Sequence, residues 1–225
     1  MVVDWKNAID SYLNASRKPG KILEDCVFSP SMIGTCLRQA TVHKLGLKTF
    51  DVDSLANFEA GTMLHEWISN VGAHSENKLE FEKEITLNTS ELTFHGFVDC
   101  FDGEVVYEFK TTGDVEKAIA WWPNETYIRQ VTVYLKALNV HKAKVVFISK
   151  TRINDVREVD VFFNEDKFSE VVTFCKQVVN AVNNYRESKV LPALCGKCFD
   201  CRKEQLVQNT ESISIKGAKS TQATL

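Results

Sequence analysis

The chain has 225 residues, of which 44% are hydrophobic and 25% are charged, as is usual for a folded globular protein. Its formal net charge is −3, so nucleic-acid binding would require a local basic groove and not a basic chain overall. No hydrophobic run reaches transmembrane length, and the first residues lack a signal-peptide pattern. Seven cysteines in such a chain favour free thiols or metal ligands over a disulfide framework. These features predict an intracellular protein in a reducing compartment, without a membrane partner.

The first third of the chain is predicted to be helical. Apolar side chains recur at helical spacing in residues 1–25, and the next helix is expected to contain Cys36. A longer amphipathic helix follows over about residues 55–71, in which Gly61 would allow close approach to a neighbouring element. His65 lies beside the apolar stripe of this helix. Taken alone, such a histidine is more often a boundary residue of the core than a metal ligand.

Strands are predicted to follow these helices. Side chains alternate between polar and apolar over residues 79–87, and a further strand from residue 92 continues towards residue 110. Glu82 and Glu84 of the first strand are expected to face solvent, although Glu84 would also be able to approach a site on the neighbouring strand. This region is therefore predicted to be a set of antiparallel strands with charged side chains on one face.

A β-hairpin is predicted around the dipeptide Asp102-Gly103. This two-residue turn would place Asp99 opposite Val106. Because side chains alternate between the faces of a strand, Glu108 and Lys110 would share the face of Asp99. Two carboxylates and one ammonium on one face suit a divalent cation and a substrate that develops negative charge. A solvated charged face on an edge hairpin is the alternative interpretation.

The second half of the chain is predicted to alternate helices and strands. Gln130 and Tyr134 stand four residues apart on one face of the first of these helices. The continuous apolar run that ends at Lys150 indicates a buried strand. The expected elements are a helix at 125–139, a strand at 145–149, a strand at 159–163 and a long helix after Asn164.

Three cysteines near the end of the chain form its most specific local pattern. Cys195, Cys198 and Cys201 are each separated by two residues and would supply three thiolates from one tight loop. A tetrahedral site needs a fourth ligand, for which Cys36 and Cys26 are the candidates. The spacing suits both the first ligands of a [4Fe–4S] run and a four-cysteine zinc site. Either metal would join the N-terminal helices to the C-terminal segment.

An ordered set of motifs links the hairpin to helices on either side of it. The set consists of His65 on a helix, Gly-x-x-Asp at 96–99, Glu-x-Lys at 108–110 and Gln-x-x-x-Tyr at 130–134. In this order the motifs resemble the RecB-type branch of the PD-(D/E)XK nucleases. Cys-Leu-Arg-Gln at 36–39 and the three late cysteines narrow the resemblance further. The chain is similar, over about residues 29–203, to the fourth CRISPR-associated (Cas) protein family, which comprises iron–sulfur nucleases acting in spacer acquisition, and to its viral and phage relatives.

The resemblance implies a fold and a domain organisation. The implied fold class is α/β (α+β), with a restriction-endonuclease-like PD-(D/E)XK core whose central mixed β-sheet is flanked by helices. A single RecB-like nuclease domain is expected over residues 1–205, followed by a flexible tail at 206–225. Within this domain, the N-terminal helices and the cysteine-rich segment 190–203 would form an iron–sulfur lobe that joins the two ends of the chain.

The resemblance also implies roles for individual residues. The ligands of Mg²⁺ or Mn²⁺ would be His65, Asp99, Glu108 and the main-chain carbonyl of Phe109. Lys110 would be the catalytic lysine that orients or activates water beside the phosphate. Gln130 and Tyr134 would line the substrate groove, and Lys150 is a candidate phosphate contact. The ligands of a [4Fe–4S] cluster would be Cys36, Cys195, Cys198 and Cys201. The family more often has a longer gap between its last two cysteines, and this departure keeps structural Zn²⁺ as the alternative.

The implied function is metal-dependent hydrolysis of phosphodiester bonds in DNA. The family favours a single-stranded DNA exonuclease of 5′ to 3′ polarity, with endonuclease activity as a further option. The substrate would be single strands or duplex ends, and protein partners would belong to CRISPR adaptation or to replication and repair. The alternative is a catalytically weak nucleic-acid-binding or adaptor module of a CRISPR-adaptation or viral replication and repair complex.

Overall fold

A computed structural model of the protein describes residues 4–15, 24–76 and 78–204. The helices with both ends inside these ranges are α1 (Trp5–Ala15), α2 (Leu37–Lys44), α3 (Val52–Gly72), α4 (Val115–Ala120), α5 (Glu125–Leu138) and α6 (Glu165–Ser188). A further helical segment begins at Phe199. The predicted flexible tail at 206–225 and residues 16–23 of the first predicted helix lie outside the described residues.

The described strands form one mixed sheet. They are β1 (Val27–Phe28), β2 (Glu80–Asn88), β3 (Thr93–Phe101), β4 (Val105–Thr112), β5 (Lys142–Ser149) and β6 (Val156–Phe162). Their order is β1-β3-β4-β5-β6, with β2 on the opposite edge of β3. β1 with β3 and β4 with β5 are parallel pairs, and the other neighbours are antiparallel. This mixed sheet flanked by helices confirms the predicted fold class, an α+β fold with a central mixed sheet.

Helices cover both faces at the centre of the sheet. On one face, Val106 of β4 packs with Val131 of α5. Tyr107 and Phe109 point to the opposite face, because successive side chains of a strand alternate, and they pack there with Ile68 of α3. A further apolar cluster holds α2 and α6 together beside β1. Within the described ranges, no helix is long and apolar enough to cross a bilayer.

The N-terminal segment departs from the predicted single helix around Cys36. Pro30–Met32 form a short 3₁₀ turn, and α2 begins only at Leu37. Cys36 is the N-cap of α2 and has an extended backbone, so the prediction that it lies inside a helix is wrong. An N-cap side chain projects past the end of its helix. This position lets the Cys36 thiol meet the C-terminal segment.

The turn between β3 and β4 is longer than the sequence predicts. The strands pair at Cys100–Tyr107 and Phe101–Val106, so four residues connect the last pair. The predicted pairing of Asp99 with Val106 is therefore wrong by two residues. A shift of two preserves the alternation of side chains, because the period of a strand is two. The predicted charged face of the hairpin is kept for that reason.

Candidate active site

The site lies where β3 and β4 separate, next to Asp99. Here the main-chain amide of Phe109 donates to Oδ2 of Asp99 at 2.7 Å, so a side chain takes the place of a ladder partner. Upstream on β3, Pro30 packs closely against Gly96, the glycine of the Gly-x-x-Asp motif. A Cβ on Gly96 would lie 2.9 Å from Cδ of Pro30, which explains why this position of the motif excludes a side chain.

The buried Glu108 forms an ion pair with the half-buried Lys110 beside Asp99. Nζ of Lys110 lies 2.5 Å from Oε1 of Glu108, and Glu108 is 2% exposed. Its other oxygen, Oε2, has no hydrogen-bond partner among the described residues. A buried carboxylate oxygen without a partner is costly, and a bound cation would satisfy it. The arrangement therefore fits the divalent cation that the sequence predicts at Glu108.

Gln130 and Tyr134 of α5 lie behind Lys110. Oε1 of Gln130 accepts from Nζ of Lys110 at 3.3 Å, and its Nε2 donates to the Tyr134 hydroxyl at 3.1 Å. Both side chains are buried, at 6% and 3% exposure. Because they are buried, Gln130 and Tyr134 are better placed to position the Lys110 ammonium than to contact a substrate. The direct contact with substrate expected from the motif stays a prediction.

His65 brings α3 to the site, and Glu82 brings β2. Nδ1 of His65 lies 3.8 Å from Oδ1 of Asp99. One ligand atom from each of His65, Glu82 and Asp99 lies within 4.8 Å of the others. An octahedral site with bonds of about 2.1 Å places ligand atoms roughly 3 to 4 Å apart. These side chains therefore need only small movements to hold one cation.

Glu82 is the site residue that sequence reasoning missed. It was expected to face solvent, and Glu84 was the preferred candidate on this strand. Instead, Glu84 lies 3.8 Å from His95, while Glu82 reaches His65 and Asp99. Counting back along both strands from the turn that joins β2 to β3 places Glu82 opposite Asp99. Strand register therefore indicated its position opposite Asp99, but the left-handed backbone that turns its side chain into the site is not visible in the sequence.

The electrostatics of the site favour uptake of a cation. Burial, followed by the neighbouring Glu108 carboxylate, raises the pKa of Asp99 well above its ordinary value. For Lys110, burial acts to lower the pKa, but Glu108 outweighs it and the pKa is raised. Lys110 therefore remains charged at neutral pH. A proton or a metal ion would relieve the strain between the two carboxylates, as at many functional sites.

An open cleft of about 820 Å³ lies over the site, and α3 forms one of its walls. His65, Glu82, Phe109 and Lys110 all contribute to its lining. Gly61 borders the same cleft, and outside its own helix no described atom lies within 4 Å of a Cβ placed there. The predicted close approach at Gly61 is therefore wrong. The missing side chain instead leaves room in the cleft.

Lys150 stands near the rim of this cleft, just after the end of β5. Its Nζ donates to Oδ1 of Asn57 at 3.1 Å, and Asn57 lines the cleft. Lys150 is thus placed where a phosphate beside the predicted ligands would meet a second positive charge. Its role as a phosphate contact stays a prediction.

The predicted set of four cysteines comes together at the end of α2. Sγ of Cys36 lies 3.7 Å from that of Cys198 and 3.6 Å from that of Cys201, and all four sulfurs, with that of Cys195, lie within 4.8 Å of one another. In a tetrahedral zinc site with Zn–S bonds of about 2.3 Å, the sulfurs are about 3.8 Å apart. A [4Fe–4S] cluster places four irons between the thiolates and separates their sulfurs much more widely. The observed spacing suits one zinc ion directly, and a cluster would require the four thiolates to move apart.

The same group shows how its thiolates are stabilised. The amide of Cys198 donates to Sγ of Cys195 at 3.3 Å, and that of Cys201 donates to Sγ of Cys198 at 3.4 Å. Hydrogen bonds from the amides of Cys198 and Lys197 lower the pKa of Cys195 to about 6. Burial raises the pKa of Cys36. A nearby cation would offset that burial, which is the setting expected of a metal ligand.

No protein-family model matches the chain, and no curated protein matches it. Its fold is nevertheless similar to that of solved structures. One is SSO0001, which is 17% identical with a TM-score of 0.57 over 88% of this chain and 96% of that one. Another is the alkaline exonuclease LHK-Exo from Laribacter hongkongensis, 14% identical with a TM-score of 0.54 over 79% of this chain and 94% of that one. LHK-Exo in complex with dAMP gives 11% identity and a TM-score of 0.53, over 81% and 94% of the two chains. The chain therefore shares the fold of these proteins.

Proposed function

We propose that this protein is a metal-dependent nuclease that hydrolyses phosphodiester bonds in DNA. The observation that carries the proposal is the Glu108–Lys110 pair, in which Glu108 is buried and its Oε2 has no partner among the described residues. Asp99 and His65 stand beside this pair, and His65 and Lys110 line an open cleft. A divalent cation held by the two carboxylates, His65 and the Phe109 carbonyl would activate water and neutralise charge on the phosphate.

Lys110 supplies a fixed positive charge in this arrangement. Its Nζ is held by Oε1 of Glu108 and Oε1 of Gln130, so its position at the cleft wall is set before substrate binds. A preorganised ammonium stabilises negative charge that develops on a phosphate oxygen. Lys150 at the rim adds a second cation along the path of a phosphate backbone.

The substrate and the direction of cleavage rest on similarity. LHK-Exo is described as an alkaline exonuclease, and one of its structures contains dAMP, which supports DNA as the substrate here. The motif resemblance supports an exonuclease acting on single strands or duplex ends with 5′ to 3′ polarity, and endonuclease activity in addition. It also supports an intracellular setting with CRISPR-adaptation or viral replication and repair proteins, in which free thiols such as those of this chain persist.

Cleavage assays test the proposal. End-labelled single-stranded, duplex and circular DNA are incubated with the full chain in Mg²⁺ or Mn²⁺. We expect cleavage by the unchanged protein and a loss of at least a hundredfold in Asp99→Ala and Lys110→Ala, since each removes a group that acts at the phosphate. Lys144→Ala is a matched control, because Lys144 pairs with Glu158 at the surface of the sheet. Full activity in either site variant would contradict the proposal. DNA binding without cleavage in both metals would indicate the adaptor module instead.

We also propose that the four-cysteine group holds a structural metal. The family resemblance implies a [4Fe–4S] cluster, whereas the sulfur spacing supports a single Zn²⁺. We favour zinc, since sulfurs 3.6 and 3.7 Å apart suit one ion as they stand, whereas a cluster would require the thiolates to separate. The zinc and iron contents of protein purified without oxygen separate the two occupants.

A further inference from the structure

Glu82 interrupts the pairing of β2 with β3 opposite Asp99. The residues on either side of Glu82 pair regularly with β3, but Glu82 and Asp99 do not pair. The backbone of Glu82 has φ of 48°, in the left-handed region that residues other than glycine seldom adopt. A charged residue in this conformation inside a strand has a strained backbone, and such strain is found at ligand-binding sites.

The interruption directs the Glu82 carboxylate into the site. It lies with the ligand atoms of His65 and Asp99 in one group no more than 4.8 Å across, and it lines the cleft. The adjacent Lys83 pairs with Glu80 and so does not serve as its counter-ion. Among the described residues, Lys110 is the ammonium paired with a carboxylate of this site, and its partner is Glu108 and not Glu82.

The neighbouring Glu108 gives an independent sign of a missing ligand. Its Oε2 atom is buried and has no hydrogen-bond partner among the described residues. The Glu82 and Asp99 carboxylates have oxygens within 4.8 Å of each other, so these two negative charges also lie close together. An excess of negative charge next to an unsatisfied buried oxygen indicates a cation.

We propose that Glu82 is a direct ligand of the divalent cation, completing a ligand set with His65 and Asp99. The set draws on three elements, β2, α3 and β3, and adds a residue that lies outside the Gly-x-x-Asp and Glu-x-Lys motifs. The inference rests on the proposed nuclease function for its cation. In this arrangement the left-handed backbone at Glu82 lets its carboxylate complete the coordination of the cation on the side that faces the cleft.

Calorimetric titration with MnCl₂ tests the ligand role on the full chain without DNA. Glu82→Gln keeps the shape of the side chain and removes its charge, so the affinity for Mn²⁺ should fall at least tenfold. Glu84→Gln is the matched control: Glu84 is also exposed, lies two residues along the same strand and faces His95. It should bind Mn²⁺ like the unchanged protein.

A second variant separates a ligand from a structural residue. Glycine suits a φ of 48°, so Glu82→Gly should melt about 2–4 °C higher than the unchanged protein in the absence of metal. It should also bind Mn²⁺ at least tenfold more weakly, and the rise in melting temperature on adding Mn²⁺ should shrink accordingly. A variant that is at least as stable and yet has lost affinity supports the ligand role.

The outcomes distinguish this inference from the proposed function. If Glu82→Gln binds Mn²⁺ with unchanged affinity, or if the unchanged protein binds none, the ligand role is wrong whatever the cleavage assays show. If Mn²⁺ binding depends on Glu82 but no DNA is cleaved in either metal, the proposed nuclease function is wrong and the ligand role stands.

Discussion

Lys110 is held by a chain of hydrogen bonds that runs from the site into α5. Glu108 fixes one side of the ammonium, and Gln130 contacts it at 3.3 Å while donating to the Tyr134 hydroxyl. Burial of the phenol, with Glu108 nearby, raises the pKa of Tyr134, so the hydroxyl keeps its proton and accepts from Gln130 at neutral pH. Through this series of hydrogen bonds, the position of Lys110 depends on Gln130 and Tyr134, which do not border the cleft.

Tyr134→Phe tests this positioning role. The change removes the acceptor of the Gln130 amide and leaves a buried donor without its partner, which costs about 1–3 kcal/mol. We expect single-turnover cleavage to slow several-fold while the affinity for DNA stays the same, because Lys110 is misplaced and no substrate contact is lost. Tyr12→Phe, on the exposed face of α1, serves as the control. Weaker DNA binding with unchanged kcat would instead indicate that Tyr134 contacts the substrate.

Among the site residues, those within the recognised motifs could be predicted from the sequence and Glu82 could not. His65, Asp99, Glu108 and Lys110 meet in the structure because their motifs lie on α3, β3 and β4, which pack together. Glu82 depends instead on its register with β3 and on a positive φ. Alternation of side chains along a strand assumes regular backbone, so it places such a residue in solvent.

At the scale of elements, Asp102 explains the unexpected length of the β3–β4 turn. Oδ1 of Asp102 accepts the amides of Glu104 at 2.9 Å and Val105 at 2.7 Å, and Oδ2 accepts the Tyr107 hydroxyl at 2.8 Å. A side chain that satisfies two turn amides stabilises a wider loop than the two-residue turn expected for Asp-Gly. The composition of the dipeptide alone does not reveal this use of the aspartate.

Asp102→Ala should therefore destabilise the hairpin. Loss of three hydrogen bonds to a carboxylate is expected to lower the free energy of unfolding at pH 7 by about 2 kcal/mol. Burial acts to raise the pKa of Asp102, but the amides of Val105 and Glu104 and the Tyr107 hydroxyl outweigh it and the pKa is lowered. The stabilisation by ionised Asp102 is thus fully present above the pKa of this group in the unfolded chain, about 3.9. It is lost as the pH falls through the lower pKa of the group in the folded protein.

Urea unfolding at a series of pH values measures this effect. The difference in stability between the unchanged protein and Asp102→Asn should shrink as the pH falls below about 3.9, since protonation then removes from Asp102 the charge that the asparagine lacks at every pH. Glu104→Gln is the control in the same turn, because Glu104 is exposed. An equal loss of stability in both variants at pH 7 would refute the role of the Asp102 side chain.

The elements with long periodic patterns were predictable, and the short ones were not. The helices α3, α5 and α6 and the strand β2 follow their predicted spans closely, because each carries enough apolar positions to define its period. β1 has two residues and α4 has six, too few for either period to show. The single helix expected around Cys36 is instead a 3₁₀ turn followed by α2, with Cys36 as the N-cap of α2. Tertiary contacts determine where such short elements begin and end, so periodicity does not predict them.

At the scale of the whole molecule, contacts around the cysteine group tie the C-terminal segment to the N-terminal helices. Arg38 of α2 binds Glu204 and the carbonyl of Pro192. Lys203 reaches Asp51 at 2.7 Å. The exposed Lys203–Asp51 pair contributes little by itself, and the part-buried Arg38–Glu204 pair joins only the segments next to the cysteine group. We therefore expect the association of these two segments to depend on the four thiolates and on the metal proposed for them.

Removal of that metal should destabilise the whole chain while sparing the chemistry of the site. A metal that links Cys36 to Cys198 and Cys201 closes a loop of about 165 residues, the separation between Cys36 and Cys201. Losing it should cost about 5 kcal/mol, or roughly 10–20 °C in melting temperature for a chain of this size. The prediction follows from the loop that the metal closes, because unfolding then restores the full freedom of the chain.

Cys198→Ser tests the prediction, with Cys26→Ser as the matched control, since Cys26 is an exposed cysteine outside the group. Cys198→Ser should lose its zinc and melt at a temperature lower by the stated amount, whereas Cys26→Ser should keep both. Below its melting temperature, Cys198→Ser should still bind Mn²⁺, because Asp99, Glu108 and His65 are held by the sheet and α3. An unchanged melting temperature would show that the ion pairs alone hold the two ends together. Iron with broad visible absorption in the unchanged protein would overturn zinc as the occupant and leave the metal-closed loop as the source of stability.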